Sequence, residues 1–192
     1  MKQYLLVLVV AAATIMSFTL SDSTYKIDAQ KSKITWLGKK VTGEHSGTIN
    51  IADGSLTTKG NKVTGGSFSI DITSLKDSEG NARLEGHLKS DDFFSAEKFP
   101  KSTFVITKST PADGDQYTIK GNLTIKGITN EVEFPATIQI QKQAVTAKAK
   151  ILVDRTKFDI KFRSGNFFEN LGDKAIEDNF ELNVELAGTL QK

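Results

Sequence analysis

Residues 116–140, QYTIKGNLTIKGITNEVEFPATIQI, form two runs in which apolar and polar residues alternate. Alternation with a period of two is typical of a β-strand that has one buried face and one exposed face. Lys126 and Gly127 separate the two runs, and so short a connection makes the two strands antiparallel neighbours. The stretch therefore predicts a β-hairpin whose apolar face must be covered by the rest of the chain.

The same pattern extends along the chain in both directions. Strands are predicted at residues 24–28, 33–39, 46–51, 62–73, 102–108, 116–125, 131–140, 144–153 and 180–190, which gives about eight long strands. Asp53-Gly54 and Asp113-Gly114 are typical of tight turns, because both residue types tolerate a positive φ. A short helix is predicted at residues 82–88, and residues 164–179 are predicted to form an irregular loop that packs on the core.

These elements predict an all-β fold. A single antiparallel sheet of this size must curl on itself or split in two, because its apolar faces need cover. Meander connections favour an antiparallel up-and-down barrel of about eight strands with a short helical or irregular insert. A β-sandwich is the alternative. A barrel of about eight strands is wide enough to hold one small ligand.

The predicted insert is rich in phenylalanine. Residues 87–104, HLKSDDFFSAEKFPKSTF, contain Phe93, Phe94, Phe99 and Phe104, and most of this segment shows no strand alternation. Apolar side chains outside the strands must still be buried somewhere. They either plug the core of the protein or line the mouth of an apolar cavity.

Composition excludes several classes of function. The chain has 192 residues, which suits one domain with a core of its own. Its formal net charge is +2 and its basic residues are spread along the chain, so nucleic acid is not an expected partner. It has no cysteine, which rules out disulfides, thiolate metal sites, cysteine nucleophiles and a lipid attached to an N-terminal cysteine.

The N-terminus predicts export. Lys2 precedes an apolar run at residues 4–16, and small or polar residues follow it up to Ser21. This order is typical of a secretory signal peptide, and the run is too short to span a bilayer as an uncleaved anchor. We therefore expect a signal peptide at residues 1–21, a barrel domain at residues 22–192, and a periplasmic or secreted protein.

Catalytic and metal-binding signals are weak. His45 and His87 are isolated from any carboxylate motif, and neighbouring Asp91 and Asp92 point in different directions on a regular backbone. The chain has no nucleophile elbow, phosphate loop or dinucleotide fingerprint. Arg155 either forms a local ion pair or faces the head group of a ligand. We expect no catalytic residue, no metal site and no enzymatic activity.

Several ordered blocks of the sequence resemble a known family. They are residues 25–28 (YKID), 32–34 (SKI), 87–94 (HLKSDDFF), 97–100 (EKFP), 121–129 (GNLTIKGIT), 134–135 (FP) and 154–158 (DRTKF). The chain thereby resembles the YceI-like family of secreted, lipocalin-like proteins that bind polyisoprenoids. One departure is Asp159, which stands where the family usually has glycine. The resemblance implies an eight-stranded barrel around an apolar tunnel that holds an isoprenoid chain, in some members with a quinone-like or phenolic head.

Inward strand positions and the insert are the expected lining of this tunnel. The expected ligand-binding residues are Phe68, Ile70, Phe93, Phe94, Phe99, Phe104, Ile106, Leu123, Ile125, Val132 and Phe134.

The expected function is to carry or store an amphipathic isoprenoid lipid, polyprenyl or quinone-like, without any required cofactor. Transient contact with a membrane and a homodimer are further expectations. One alternative is a structural or stress-related envelope protein whose barrel is filled by its own side chains. The other is a lipid-modifying enzyme with His87 as its base.

Overall fold

The computed structural model describes residues 21–191, so the predicted signal peptide lies outside the described residues except for Ser21. The strands are β1 (Asp22–Ile27), β2 (Lys33–Lys40), β3 (Gly43–Lys59), β4 (Lys62–Asp77), β5 (Lys101–Pro111), β6 (Gln116–Ile125), β7 (Ile128–Ile140), β8 (Ala144–Asp154) and β9 (Ile176–Leu190). The helix α1 spans Ala82–Lys89, and two 3-10 turns span Arg155–Phe158 and Gly172–Lys174. No helix between residues 21 and 191 has the length and apolar character needed to cross a bilayer.

The strands close into an up-and-down barrel. From β2 to β9, each strand pairs with the next in antiparallel order, and β9 returns to pair with β2. Tyr25 of β1 and Ile34 of β2 both lie between β3 and β9, so β1 and β2 run end to end in one position of the wall. The predicted eight-stranded barrel is thus confirmed, with one extra strand, and the sandwich alternative is wrong.

Closure also bears on the expected homodimer. An exposed strand edge beside an incomplete barrel closure would favour a dimer. Within the described residues, the pairing of β9 with β2 leaves no such gap in the wall. The closed wall thus does not supply this reason for a dimer, and the dimer itself stays a prediction.

Two boundaries predicted from the sequence are wrong. Asp53-Gly54 is not a tight turn, because β3 continues through it with only a register shift between Ile51 and Asp53. Gly54 faces Phe68 across the strand pair, and a Cβ there would lie 2.9 Å from the Phe68 ring. Glycine is needed for this close approach. The second correction is at residues 164–179, where β9 already begins at Ile176.

Asp159 occupies its position in the way that glycine would. It ends the 3-10 turn Arg155–Phe158 with a left-handed backbone, φ 57° and ψ 31°. Aspartate is one of the few residue types that visit this region, since its short polar side chain can bond locally. Its carboxylate lies 2.7 Å from the Lys161 ammonium. The departure from the family pattern therefore preserves the local turn.

Helix α1 is anchored beside one end of the barrel. Asn81 caps it as predicted, since the Asn81 side chain accepts a hydrogen bond of 3.1 Å from the backbone N–H of Leu84. The buried Glu85 carboxylate accepts hydrogen bonds from the Lys76 ammonium at 2.9 Å and from the backbone N–H of Asp77 at 3.1 Å. These bonds join the helix to β4.

The Glu85 anchor predicts an acid-sensitive stability. The hydrogen bond from Lys76, followed by that from Asp77, holds the pKa of the Glu85 carboxyl below its ordinary value. A lowered folded pKa contributes stability above the unfolded pKa of about 4.3, and this contribution is lost as pH falls through the folded pKa. We therefore expect the wild-type free energy of unfolding to fall more steeply below that pH than that of Glu85→Gln, as measured by urea unfolding. Exposed Glu79→Gln is the control, and parallel wild-type and Glu85→Gln curves would contradict the assignment.

Candidate functional site

The barrel interior contains two apolar chambers. The outer chamber has a volume of about 180 Å³ and lies between the barrel wall, α1 and the segment after it. The inner chamber has a volume of about 120 Å³ and lies deeper in the barrel. Together they reach the lower end of the range for small-molecule sites, about 300 to 1,000 Å³.

The two chambers adjoin and share part of their lining. Four side chains line both of them, namely Ile34, Ile70, Leu123 and Leu182. Ile34 and Leu123 are buried, whereas Ile70 and Leu182 are half-buried. A flexible chain that enters the outer chamber therefore has only apolar side chains between it and the inner one.

Ten of the eleven predicted lining residues lie on these walls. The outer chamber includes Ile70, Phe93, Phe94, Leu123 and Ile125. The inner chamber includes Phe68, Ile70, Phe104, Ile106, Leu123, Val132 and Phe134. Phe99 lies outside both walls and packs near Gly127, where an added Cβ would be 3.2 Å from its ring.

Sequence reasoning missed much of the lining. Missed residues include Ile34, Trp36, Ile72, Leu84, Leu88, Ile119, Ala136, Ile138, Ala147, Ala149, Ile160, Ile176, Phe180, Leu182, Val184 and Leu186. Those on β6, β7 and β9 share the alternation that identified the predicted residues, so the same signal could have found them. Ala147 and Ala149 were not predicted as lining residues, because their small side chains leave space in the barrel rather than fill it.

An aromatic row forms one wall of the inner chamber. The Phe104 ring centroid lies 6.3 Å from that of Phe68 and 5.5 Å from that of Phe134. Gly121 on β6 makes room for this row, because a Cβ there would lie 2.5 Å from the Phe104 ring. The row places three flat apolar surfaces beside the empty volume.

The phenylalanine insert both fills part of the core and lines the outer chamber. Phe93 is buried in a cluster with Phe158 and Ile160, and its ring also borders the outer chamber. Phe94 contacts Phe180 edge-on, with ring centroids 6.3 Å apart. The two alternatives for the insert are therefore both realised by the same residues.

Arg155 holds the segment between β8 and β9 in place. Its guanidinium is buried and donates to the carbonyl oxygens of Ile160 at 2.8 Å and Phe162 at 3.0 Å. It also donates to the carbonyl oxygens of Glu177 and Ile176, both at 3.0 Å. Burial lowers its pKa, whereas the charge of Asp178 opposes that shift.

Two interpretations of Arg155 were made from the sequence, a local ion pair and a contact with a ligand head group, and both are corrected. Its partner at 3.4 Å is Asp178, which lies far along the chain, and not the adjacent aspartate. Its five N–H groups are directed to protein oxygens, so they do not project toward a ligand head group.

The outer chamber reaches the surface at a mouth. Its polar rim consists of Lys39, Lys40, His45, Glu177 and Asn179, of which all but His45 are exposed. An open groove lined by His45, Asn81, Arg83, Leu84 and His87 adjoins it. His45 and Leu84 line both the chamber and the groove.

Side chains suited to catalysis or metal binding are sparse. Within residues 21–191, no group of three or more His, Asp or Glu side chains could hold a metal ion. His87 was described from the sequence as isolated from carboxylates, but its Nε2 lies 3.0 Å from the Asp92 carboxylate. Its ring also packs edge-on against Phe93 and Phe162, with centroids 5.0 and 4.8 Å away. These contacts give His87 a packing role at the end of the barrel.

Sequence comparisons identify a family and several similar proteins. The family model described as a YceI-like domain matches residues 25–187. A UPF0312 protein of Photorhabdus laumondii is 25% identical over 191 residues, covering 96% of this chain and 97% of the relative. Protein YceI of Salmonella paratyphi B is 28% identical over 146 residues, covering 76% of this chain and 74% of the relative.

Solved structures share the fold. BcnA of Burkholderia cenocepacia superposes with a TM-score of 0.70 at 23% identity, covering 84% of this chain and 98% of its own. A domain from Saccharophagus degradans superposes with a TM-score of 0.67 at 13% identity, covering 87% of this chain and 98% of its own. The latter is described as a polyisoprenoid-binding domain implicated in plant cell wall breakdown.

Proposed function

We propose that this protein, which belongs to the YceI-like family, binds an amphipathic isoprenoid lipid, polyprenyl or quinone-like, in its two chambers and carries or stores it. The observation that carries the proposal is the pair of adjoining apolar chambers with a polar mouth. A side-chain-filled barrel would have no such volume. The description of a structurally similar domain as polyisoprenoid-binding supports the choice of ligand class.

Burial of the chain supplies the driving force. Apolar surface removed from water contributes roughly 25 cal/mol per Å². A dry cavity of about 150 Å³ admits a ring the size of benzene, so the two chambers have room for about two isoprene units. A membrane offers the same chain an equally apolar environment, so exchange between membrane and barrel is close to balanced. This balance suits a carrier or a store.

The surface near the mouth supports a transient membrane contact. Phe167 and Phe168 are about half exposed, and Val41 is 67% exposed. Val41 donates its backbone N–H to the Ala175 carbonyl oxygen at 3.3 Å, which ties the hairpin beside the mouth to the segment that carries both phenylalanines. Exposed apolar side chains of this kind favour a bilayer interface. Such a contact fits the proposed periplasmic or secreted location, where the protein would meet an envelope membrane.

We expect the protein to bind its lipid without chemical conversion. The residues near the chambers are overwhelmingly apolar, and His87 is held by Asp92 and two aromatic rings. No cofactor is required for burial of an isoprenoid chain.

Mass spectrometry of bound lipid tests this function. The full chain is expressed in an exporting host, purified without detergent and extracted with organic solvent. We expect an isoprenoid lipid close to one mole per mole of protein, because the two chambers adjoin and share four lining residues. A folded, monodisperse preparation that yields no lipid, and that fails to bind added long-chain quinone or polyprenol, would contradict the proposal.

A further inference from the structure

We propose that the barrel wall opens between β7 and β8, and that the distal end of a long isoprenoid chain passes through this opening to the outer surface of the barrel. The inference rests on the proposed lipid-binding function and concerns the length of chain that the protein accepts. The two chambers have room for about two isoprene units. A longer chain therefore needs further apolar surface beyond the chambers.

The barrel is closed, but the pairing of β7 with β8 is short. The last registered pair joins Ala136 to Ala149. Beyond this pair, β7 continues over residues 128–135 and β8 continues over residues 150–154. No registered pair joins these two stretches of the described chain. The wall is thus interrupted between two strands that are paired at their other ends.

Pro135 gives the interruption a physical cause. Where β7 turns into β8, the Gln141 N–H donates to the Ala144 carbonyl oxygen at 2.8 Å. Every second residue of an antiparallel strand faces the same partner, so the backbone of Pro135 also faces β8. Proline has no N–H and cannot return a hydrogen bond to that strand. Farther on, the Asn130 amide donates to the Lys157 carbonyl oxygen at 2.8 Å and closes the other end of the opening.

A groove on the outside of the barrel lies against this part of the wall. This side groove has a volume of about 390 Å³, and its lining includes Pro135, Thr137, Lys148, Lys150 and Asn183. Ala136, Ala149 and Val184 point into the barrel and line the inner chamber, yet they also line the side groove. Lys148 is exposed on the outer face and likewise lines both spaces. The inner chamber and the side groove are therefore separated only by these residues, two of which are alanines.

The side chains along the opening suit a hydrocarbon chain. Val132 and Ile151 lie in the two unpaired stretches, line the inner chamber and are half-buried. On the outer face of β8, Leu152 is 64% exposed. The Lys150 ammonium lies 2.7 Å from the Glu181 carboxylate, and the four-carbon stem of a lysine held in this way covers apolar surface. A chain that leaves the inner chamber here meets mainly apolar groups.

The test compares two alcohols that differ in chain length. Geraniol, with two isoprene units, and geranylgeraniol, with four, are titrated into delipidated full-chain protein. The fluorescence of Trp36 reports binding, because it is the single tryptophan of the chain and lines the outer chamber. We expect geranylgeraniol to bind at least about tenfold more tightly, which requires only roughly 55 Å² of additional apolar burial in the side groove.

A disulfide across the opening locates this advantage. Glu133→Cys combined with Leu152→Cys places two thiols at positions that would face each other if the register continued, and the natural chain has no cysteine. We expect the oxidised double variant to lose the advantage of geranylgeraniol and to bind geraniol as the wild type does. Reduction is expected to restore the advantage. Gln139→Cys with Thr146→Cys is the matched control, because this pair is already registered between the same two strands.

Photocrosslinking locates the end of the chain without a disulfide. Geranylgeraniol with a diazirine at its distal end is irradiated in complex with the full chain, and labelled peptides are identified by mass spectrometry. We expect labels at residues 135–137, 148–150 and 183–185, which line the side groove.

Three outcomes would overturn the opening alone. They are labels confined to the chambers or the mouth, equal affinity of the wild type for the two alcohols, and an undiminished advantage of geranylgeraniol in the oxidised Glu133→Cys/Leu152→Cys protein. Failure of both alcohols to bind would overturn the opening together with the lipid-binding function.

Discussion

Ala149→Phe is expected to abolish retention of the isoprenoid lipid while the barrel stays folded. Ala149 points inward from β8, between Ala136 of β7 and Val184 of β9, and lines the inner chamber. A cavity of about 150 Å³ holds a benzene ring, so the ring of a benzyl side chain fills the chamber of about 120 Å³. We expect the affinity for a long-chain ligand to fall at least about tenfold, since roughly half of the apolar contact surface is lost. Co-purified lipid and a polyprenol titration measure this loss.

The same variant also reports on stability. In a chamber that is truly empty, the new ring gains apolar contacts, and we expect the free energy of unfolding to change by less than about 1 kcal/mol. In a filled core, an added ring forces strain that typically costs about 1–3 kcal/mol. Thr146→Phe is the matched control, because it adds the same ring to the exposed face of the same strand. Undiminished lipid retention in a folded Ala149→Phe protein would contradict the position of the inner chamber.

Arg155→Met is expected to lower the free energy of unfolding by about 3–5 kcal/mol, the range seen when one partner of a buried charged network is removed. The variant removes the Arg155 donors from four carbonyl oxygens and from Oδ1 of Asp178, whose Oδ2 keeps the Asn166 amide at 2.6 Å. Each buried polar group without a partner is costly. Urea unfolding monitored by circular dichroism measures the loss.

The segment in which Arg155→Met increases hydrogen exchange is a second measure of the role of Arg155. Hydrogen exchange is expected to increase first at residues 160–178, because Arg155 bonds this segment to the end of β8. Arg163→Met is the control, since Arg163 is exposed and lies over the Phe162 ring without such bonds. We expect it to change stability by less than about 0.5 kcal/mol. Equal stability losses in the two variants would contradict the role assigned to Arg155.

Much of the wall of the site could be predicted from the sequence. Phe134 and Leu123 were placed correctly because side chains on a strand alternate between its two faces, whatever the strand later packs against. The Asn81 cap was also predicted, since a cap depends only on residues within one turn of the helix. Short connections predicted antiparallel neighbours and thereby the meander.

Other features depend on residues that are distant in sequence. Asp53-Gly54 has the composition of a turn, yet the Phe68 ring on the partner strand requires glycine there within a continuous strand. Arg155 stands beside an aspartate in the sequence, yet its donors bond to carbonyl oxygens up to twenty-two residues away. Phe99 shares the composition of its segment but packs near a turn outside the chambers.

The sequence alone therefore determined the strands, their inward faces and the up-and-down order of the barrel. These properties follow from backbone geometry and short connections, which act locally. Only the tertiary structure decided that β9 closes on β2, that small residues such as Ala149 leave two chambers open, and that Arg83 lies beside their mouth. Empty volume and converging charges arise from side chains that meet only after the barrel has closed, so no local pattern encodes them.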